Sequence, residues 1–105
     1  MNENAPIVVV SVREKVMAAL VDFFKSLRRD IDPINDDTDL IRGTGASSDE
    51  GLDFVLDLVD VLGVDIPEDF NPFVHPSGKR GMKFLELVKN AEHFVTASTG
   101  GDRAS

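Results

Sequence analysis

The chain contains no cysteine, which excludes disulfides, thiolate catalysis and cysteine-ligated zinc and leaves the redox compartment undecided. Long apolar runs are missing too. The longest unbroken one, Val16 to Val21, is far below the ~18 residues that suggest a membrane span. Bases are scarce: eleven Lys and Arg against nineteen acids leave a net charge of -8, which repels nucleic-acid phosphates and anionic membranes and favours basic protein partners. The first apolar stretch, Ile7 to Val10, lacks the basic flank and cleavage site of a secretory signal, so a cytoplasmic protein is expected. At 105 residues one domain is expected. No internal repeat and no sustained two-residue alternation is visible, which leaves an all-α fold.

Val12, Val16, Ala19, Leu20, Phe23 and Leu27 recur at spacings of three and four and predict a helix to about Arg29. Ser11 and Glu14 form a capping-box pattern at its start. From Asp30 to Ala46 the periodicity disappears and the segment reads as a long connection. A second helix is expected to run to about Leu62. Between Leu52 and Leu62 every residue is apolar except Asp53, Asp57 and Asp60, which predicts a central helix with most of its circumference facing other helices or a pocket. Asp65-Ile-Pro-Glu-Asp-Phe70 reads as the start of a short third helix, with Pro67 at its first position. A last helix is expected from about Lys79 to Val95. The chain therefore divides into an N-terminal extension (1–10), a helical domain (11–96) and a flexible tail (97–105).

The second helix opens with Gly45-Ala-Ser-Ser-Asp49 and closes with Leu62-Gly-Val-Asp-Ile-Pro-Glu-Asp69. A hydroxyl in the first turn of a helix sits where free N–H groups and the helix dipole favour a phosphate. From Val12 to Val95 the chain resembles the acyl carrier proteins, whose signature is a serine at the start of the second helix and a closing phrase like the one at 62–69. Counting back from Ile66 by the family's usual interval lands on Ser48. The resemblance implies a small four-helix bundle with three main helices and one short third helix. It implies that Ser48 is the attachment point of 4'-phosphopantetheine, placed by a phosphopantetheinyl transferase, and that the arm carries acyl groups as thioesters for fatty acid or lipid metabolism. It also implies that Phe70, Phe73 and Phe84, read from the residues as core, lie near a cleft that shelters an acyl chain. The chain departs from the family pattern in having Ser47 before the serine and Asp49 after it, where carriers usually place aspartate and a bulky apolar residue. A set of carrier-like proteins whose helix opens Gly-Asp-Asp without a serine motif is similar to Ser48-Asp-Glu-Gly51. Capping alone also accounts for Ser47 and Glu50, which repeat the Ser11/Glu14 spacing, and leaves Ser48 free.

At ~100° per residue, Asp49, Glu50, Asp53, Asp57 and Asp60 fall within an arc of roughly 100°. Residues 30–69 hold thirteen acids and one base, Arg42, whereas the rest of the chain holds six acids and ten bases. Such a stripe serves either solubility or docking. The resemblance assigns it to basic patches on acyl-transferring or acyl-synthesising enzymes, reached by a monomeric carrier with no catalysis of its own. An unmodified adaptor with the same acidic face is the other reading. Lys79, Arg80 and Lys83 would oppose the dipole at the start of the last helix, and they are read as meeting the protein's own acids, as a second, basic contact site, or as plain surface.

Other sites fail on spacing. Asn35-Asp-Asp-Thr-Asp39 resembles a calcium loop, yet the sixth position is Leu40 and the twelfth Ala46, where glycine and glutamate are required. Gly43 to Gly45 lacks the following Gly-Lys-Ser/Thr of a phosphate loop. His75 and His93 have no metal-ligating neighbours in sequence, and nothing places either beside Ser48 as a base.

Overall fold

Helix α1 (Val12–Ser26) starts where the serine–glutamate spacing puts it: Ser11 Oγ accepts the Glu14 N–H at 3.1 Å and Glu14 Oε1 accepts the Ser11 N–H at 3.0 Å. The computed structural model describes residues 11–104, with side chains as far as residue 97; the N-terminal extension expected at 1–10 lies outside them. Helix α1 stops three residues short of Arg29. Arg28 adopts a left-handed backbone (φ 56°), and the N–H groups of Arg28 and Arg29 reach back to the Lys25 and Phe24 carbonyls. This is a Schellman end with arginine where glycine is usual. Leu27, expected on the apolar stripe, is therefore left 41% exposed.

Helix α2 (Ser48–Leu62) repeats the box with Ser47 and Glu50 and ends on Gly63 at φ 67°. Helix α3 spans Phe84–Ala104, so it begins five residues later than expected and continues past the boundary at 97. Among the described residues there are three helices and no strand.

Helix α1 is the hub, packing on both α2 and α3, which barely meet each other. Val16, Leu20 and Phe24 of α1 are buried with Phe54 and Leu58 of α2, and with Phe84 and Leu87 of α3. Phe73, from the connection between α2 and α3, completes this core: its ring stacks on Phe54 at 5.4 Å and on Phe24 at 5.9 Å. The sequence expectation of a central α2 is corrected here. One helix contact covers one side of α2, and Leu52 and Leu56 stay 50% and 72% exposed.

The connections are stitched by hydrogen bonds from backbone N–H groups to side-chain and backbone oxygens. Asp39 Oδ1 accepts the Ile41 and Arg42 N–H groups, and Asn35 Oδ1 accepts that of Asp37. The Thr38 and Asp36 carbonyls accept the N–H groups of Phe84 and Leu85, so this loop caps α3. Where a short third helix was expected, residues 67–70 form a single turn, closed by the Phe70 N–H on the Pro67 carbonyl. Pro72 has no N–H to continue a helix and disfavours helical backbone at Asn71. Asn71 is engaged elsewhere, donating from Nδ2 to the Ser48 carbonyl and accepting the Phe73 N–H at Oδ1.

Residues 74–83 then form a small loop tied by bridges from Val74 to Gly81 and from Asp39 to Lys83. These bridges occupy the first residues of the expected last helix. Lys79, Arg80 and Lys83 thus precede α3. Arg80 clasps Glu86 with two hydrogen bonds of 3.0 and 2.8 Å, whereas Lys79 and Lys83 make no ion pair among the described residues.

Candidate functional site

At the start of α2 two adjacent serines have different surroundings. Ser47 is the cap: its Oγ accepts the Glu50 N–H at 3.2 Å, and Glu50 Oε1 accepts the Ser47 N–H at 3.1 Å. Ser48, the first helical residue, is exposed, and no hydrogen bond among the described residues engages its hydroxyl. With Ser47 and Glu50 satisfying two of the four terminal donors, the N–H groups of Ser48 and Asp49 keep their capacity for an incoming oxygen. The helix end itself is held firmly. Asn71 grips the Ser48 carbonyl at 2.9 Å, and buried Gly51 lies so close to residues 71–73 that a Cβ there would run into the Asn71 amide and come within 2.9 Å of Phe73 Cβ.

Beside Ser48 lies an open cleft of about 360 Å³ whose lining includes Ile41, Arg42, Val74, Lys79 and Arg80. Arg80 is held by Glu86 and the Gly81 carbonyl. Arg42 and Lys79 have no carboxylate partner among the described residues. An exposed hydroxyl, two available helix N–H groups and two cations form a donor set that suits a phosphodiester on Ser48.

The five acids expected to meet partners separate into three groups. Asp49, Asp53 and Asp60 are exposed. Glu50 is engaged within the chain: Arg29, aimed across by the left-handed turn at Arg28, holds both its oxygens at 2.9 and 3.0 Å. That guanidinium, with the Ser47 N–H, keeps the Glu50 carboxyl below the usual glutamate range. Asp57 is half-buried against α1, in a cleft of about 370 Å³ lined in part by Ala19, Asp22, Phe23 and Asp60. Burial, reinforced by the charges of Asp60 and Asp22, pushes its carboxyl up.

Beneath Ser48 the core is filled. Phe73 and Phe84 are fully buried, as is Phe54, and Phe70 packs edge-on against Phe94 at 5.0 Å. The apolar groove of about 270 Å³ is lined by Val21, Phe24, Ile31, Pro33 and Ile34 among others, none of which borders the cleft at Ser48. A smaller groove of about 240 Å³, lined by Phe70, Asn71, Val74 and Met82 among others, shares Val74 and Gly78 with the cleft at Ser48. Among the described residues no group of three or more His, Asp or Glu side chains is arranged to hold a metal ion, and no helix is long and apolar enough to cross a membrane.

Two features escaped the sequence reading. Leu52 and Leu56, one turn apart, form an exposed apolar strip beside Asp49, Asp53 and Asp60. The available signal was an apolar run wider than a single helix contact can cover. In the sequence Arg42 stands out only as the one base in an acidic stretch, and its place beside Ser48 depends on the turn around Asp39.

No family model, curated protein or solved structure matches the chain.

Proposed function

We propose that the protein is an acyl-carrier-like protein that bears 4'-phosphopantetheine on Ser48 and delivers acyl groups to basic partner enzymes. The observation that carries this reading is the division of labour between the serines. Ser47 does the capping, and Ser48 is left exposed beside Arg42 and Lys79 with its hydroxyl unengaged. In the modification, the Ser48 Oγ–phosphorus bond forms as the pyrophosphate bond of the donor breaks. The hydroxyl proton passes to a base of the transferase and the donor's nucleotide leaves. Bound there, the arm supplies a terminal thiol that carries acyl groups as thioesters. The chain's own share is to fix the hydroxyl at a rigid helix start and to offer cations to the phosphodiester. Asp49, Asp53 and Asp60 draw in basic partners by long-range attraction that weakens with salt.

Co-expression with a broad-specificity phosphopantetheinyl transferase, followed by intact-mass measurement, tests this. The wild type is expected to gain about 340 Da, the increment of the covalent group, and Ser48→Ala to gain nothing. A wild type of unchanged mass would overturn the reading.

A second reading is favoured by the exposed Leu52 and Leu56 on the acidic face. In it the protein is an unmodified adaptor whose α2 binds a basic, partly apolar segment of another protein. It requires partner binding without any gain in mass.

A further inference from the structure

We infer that the cleft beside Ser48 seats the phosphodiester of the arm, with Arg42 and Lys79 as its cationic walls, so that the root of the arm lies against the 74–83 loop instead of swinging freely. This deepens the carrier reading and rests on it. Three separate segments converge here: the turn after Asp39 brings Arg42, the start of α2 brings Ser48, and the bridged loop brings Lys79.

The convergence runs against composition. Arg42 is the one base between residues 30 and 69, and the chain places it at the candidate serine. Neither base is drawn off by a neighbouring carboxylate among the described residues, whereas nearby Arg80 is spent on Glu86. Both backbone positions are fixed before any ligand arrives. The Arg42 N–H is held by Asp39 Oδ1 at 2.9 Å, and the Lys79 N–H by Ser77 Oγ at 3.2 Å. The 74–83 loop is closed by the His75 N–H on the Arg80 carbonyl at 2.9 Å and turns at Gly78 (φ 74°).

The charge arithmetic also asks for such a seat. Asp49 is exposed next to Ser48, and a phosphodiester there adds a second negative charge within a few ångströms. Arg42 and Lys79, lining the same cleft as Ser48, offset that repulsion.

The test compares loaded with unmodified protein, in the wild type and in an Arg42→Gln/Lys79→Gln double variant. Intact mass, backbone amide spectra and the phosphorus resonance of the linkage are recorded for each. Loading is expected to move the amides of residues 42 and 78–81 as well as those of 46–51. In the double variant the shifts at 42 and 78–81 should be lost and the phosphorus resonance should move, while the amides of α1 stay in place. Were the mass gained but the amide changes confined to 46–51, or were the phosphorus resonance the same in both proteins, the seat would be refuted and the carrier reading would stand. No gain in mass in either protein would overturn both.

Discussion

The capping boxes at Ser11 and Ser47 have the same spacing and nearly the same distances, yet their surroundings differ. After Ser11 comes Val12, half-buried at the edge of the core; after Ser47 comes Ser48, exposed beside two cations. Among the described residues Glu14 makes its cap alone, whereas Glu50 is also clasped by Arg29. Glu86 offers a third case, accepting the Lys83 N–H at the start of α3 while Arg80 clasps it. The lesson is that a serine with a glutamate three residues on specifies where a helix begins. What that beginning is for depends on the side chains that distant segments bring to it.

The largest expected difference between the two serine-capped starts lies four residues past each cap. Gly51→Ala should cost about 1–3 kcal/mol, because its methyl group meets Phe73 and the Asn71 side chain. Lys15→Ala, at the equivalent position in α1, should change stability by less than ~0.5 kcal/mol. Urea unfolding of both variants checks this, and equal effects would show that α2 does not rest on residues 71–73.

Next in size are the caps themselves. Ser11→Ala and Ser47→Ala should each cost about 1 kcal/mol, and Ser48→Ala less than ~0.5 kcal/mol. A cost at Ser48 equal to that at Ser47 would mean that Ser48 has a structural task.

The clasped glutamates should be separable from other groups by pH. Glu86, held by the Arg80 side chain and the Lys83 N–H, titrates at about 2 against 4.5 for the free group. A lowered folded-state pKa gives stability that is present above pH 4.5 and lost as pH falls toward 2. Arg80→Gln should therefore be less stable than wild type at neutral pH, with the gap closing across that window. Arg29→Gln should behave alike through Glu50, whose pKa is lowered for the same reason. A gap that persists in acid would assign these arginines a packing role.

The smallest effect is expected at Asp57, where the shift has the opposite sign. Its raised pKa means that the ionised form is costly in the folded state, a cost present at neutral pH and relieved as the group protonates on acidification. Asp57→Asn should stabilise by roughly 0.2–0.5 kcal/mol for each like-charge pair removed. That gain should shrink as pH falls, which thermal unfolding across pH can follow.

The sequence showed most where structure is local. Both serine caps and the apolar stripe Val16, Leu20, Phe23 could be read because their partners lie three or four residues away. It failed where long-range contacts decide. The expected start of the last helix at Lys79 gives way to Phe84 because residues 81 and 83 bridge to 74 and 39. The short helix at Asp65 is a turn because Asn71 is bound to Ser48, twenty-three residues away. The pairing of Glu50 with Arg29 could not be foreseen without knowing that Arg28 turns left-handed and sends Arg29 across. Leu52 and Leu56 stay exposed because the helix packed on α2, α1, covers only one of its sides.

The claim that the residue after the cap is the chemical handle can be tested within one experiment. Wild type, Ser47→Ala and Ser48→Ala are each co-expressed with the same phosphopantetheinyl transferase and weighed intact. Wild type and Ser47→Ala should gain about 340 Da, and Ser48→Ala should not. A wild type that gains nothing, or a Ser48→Ala variant that still gains the group, would contradict it.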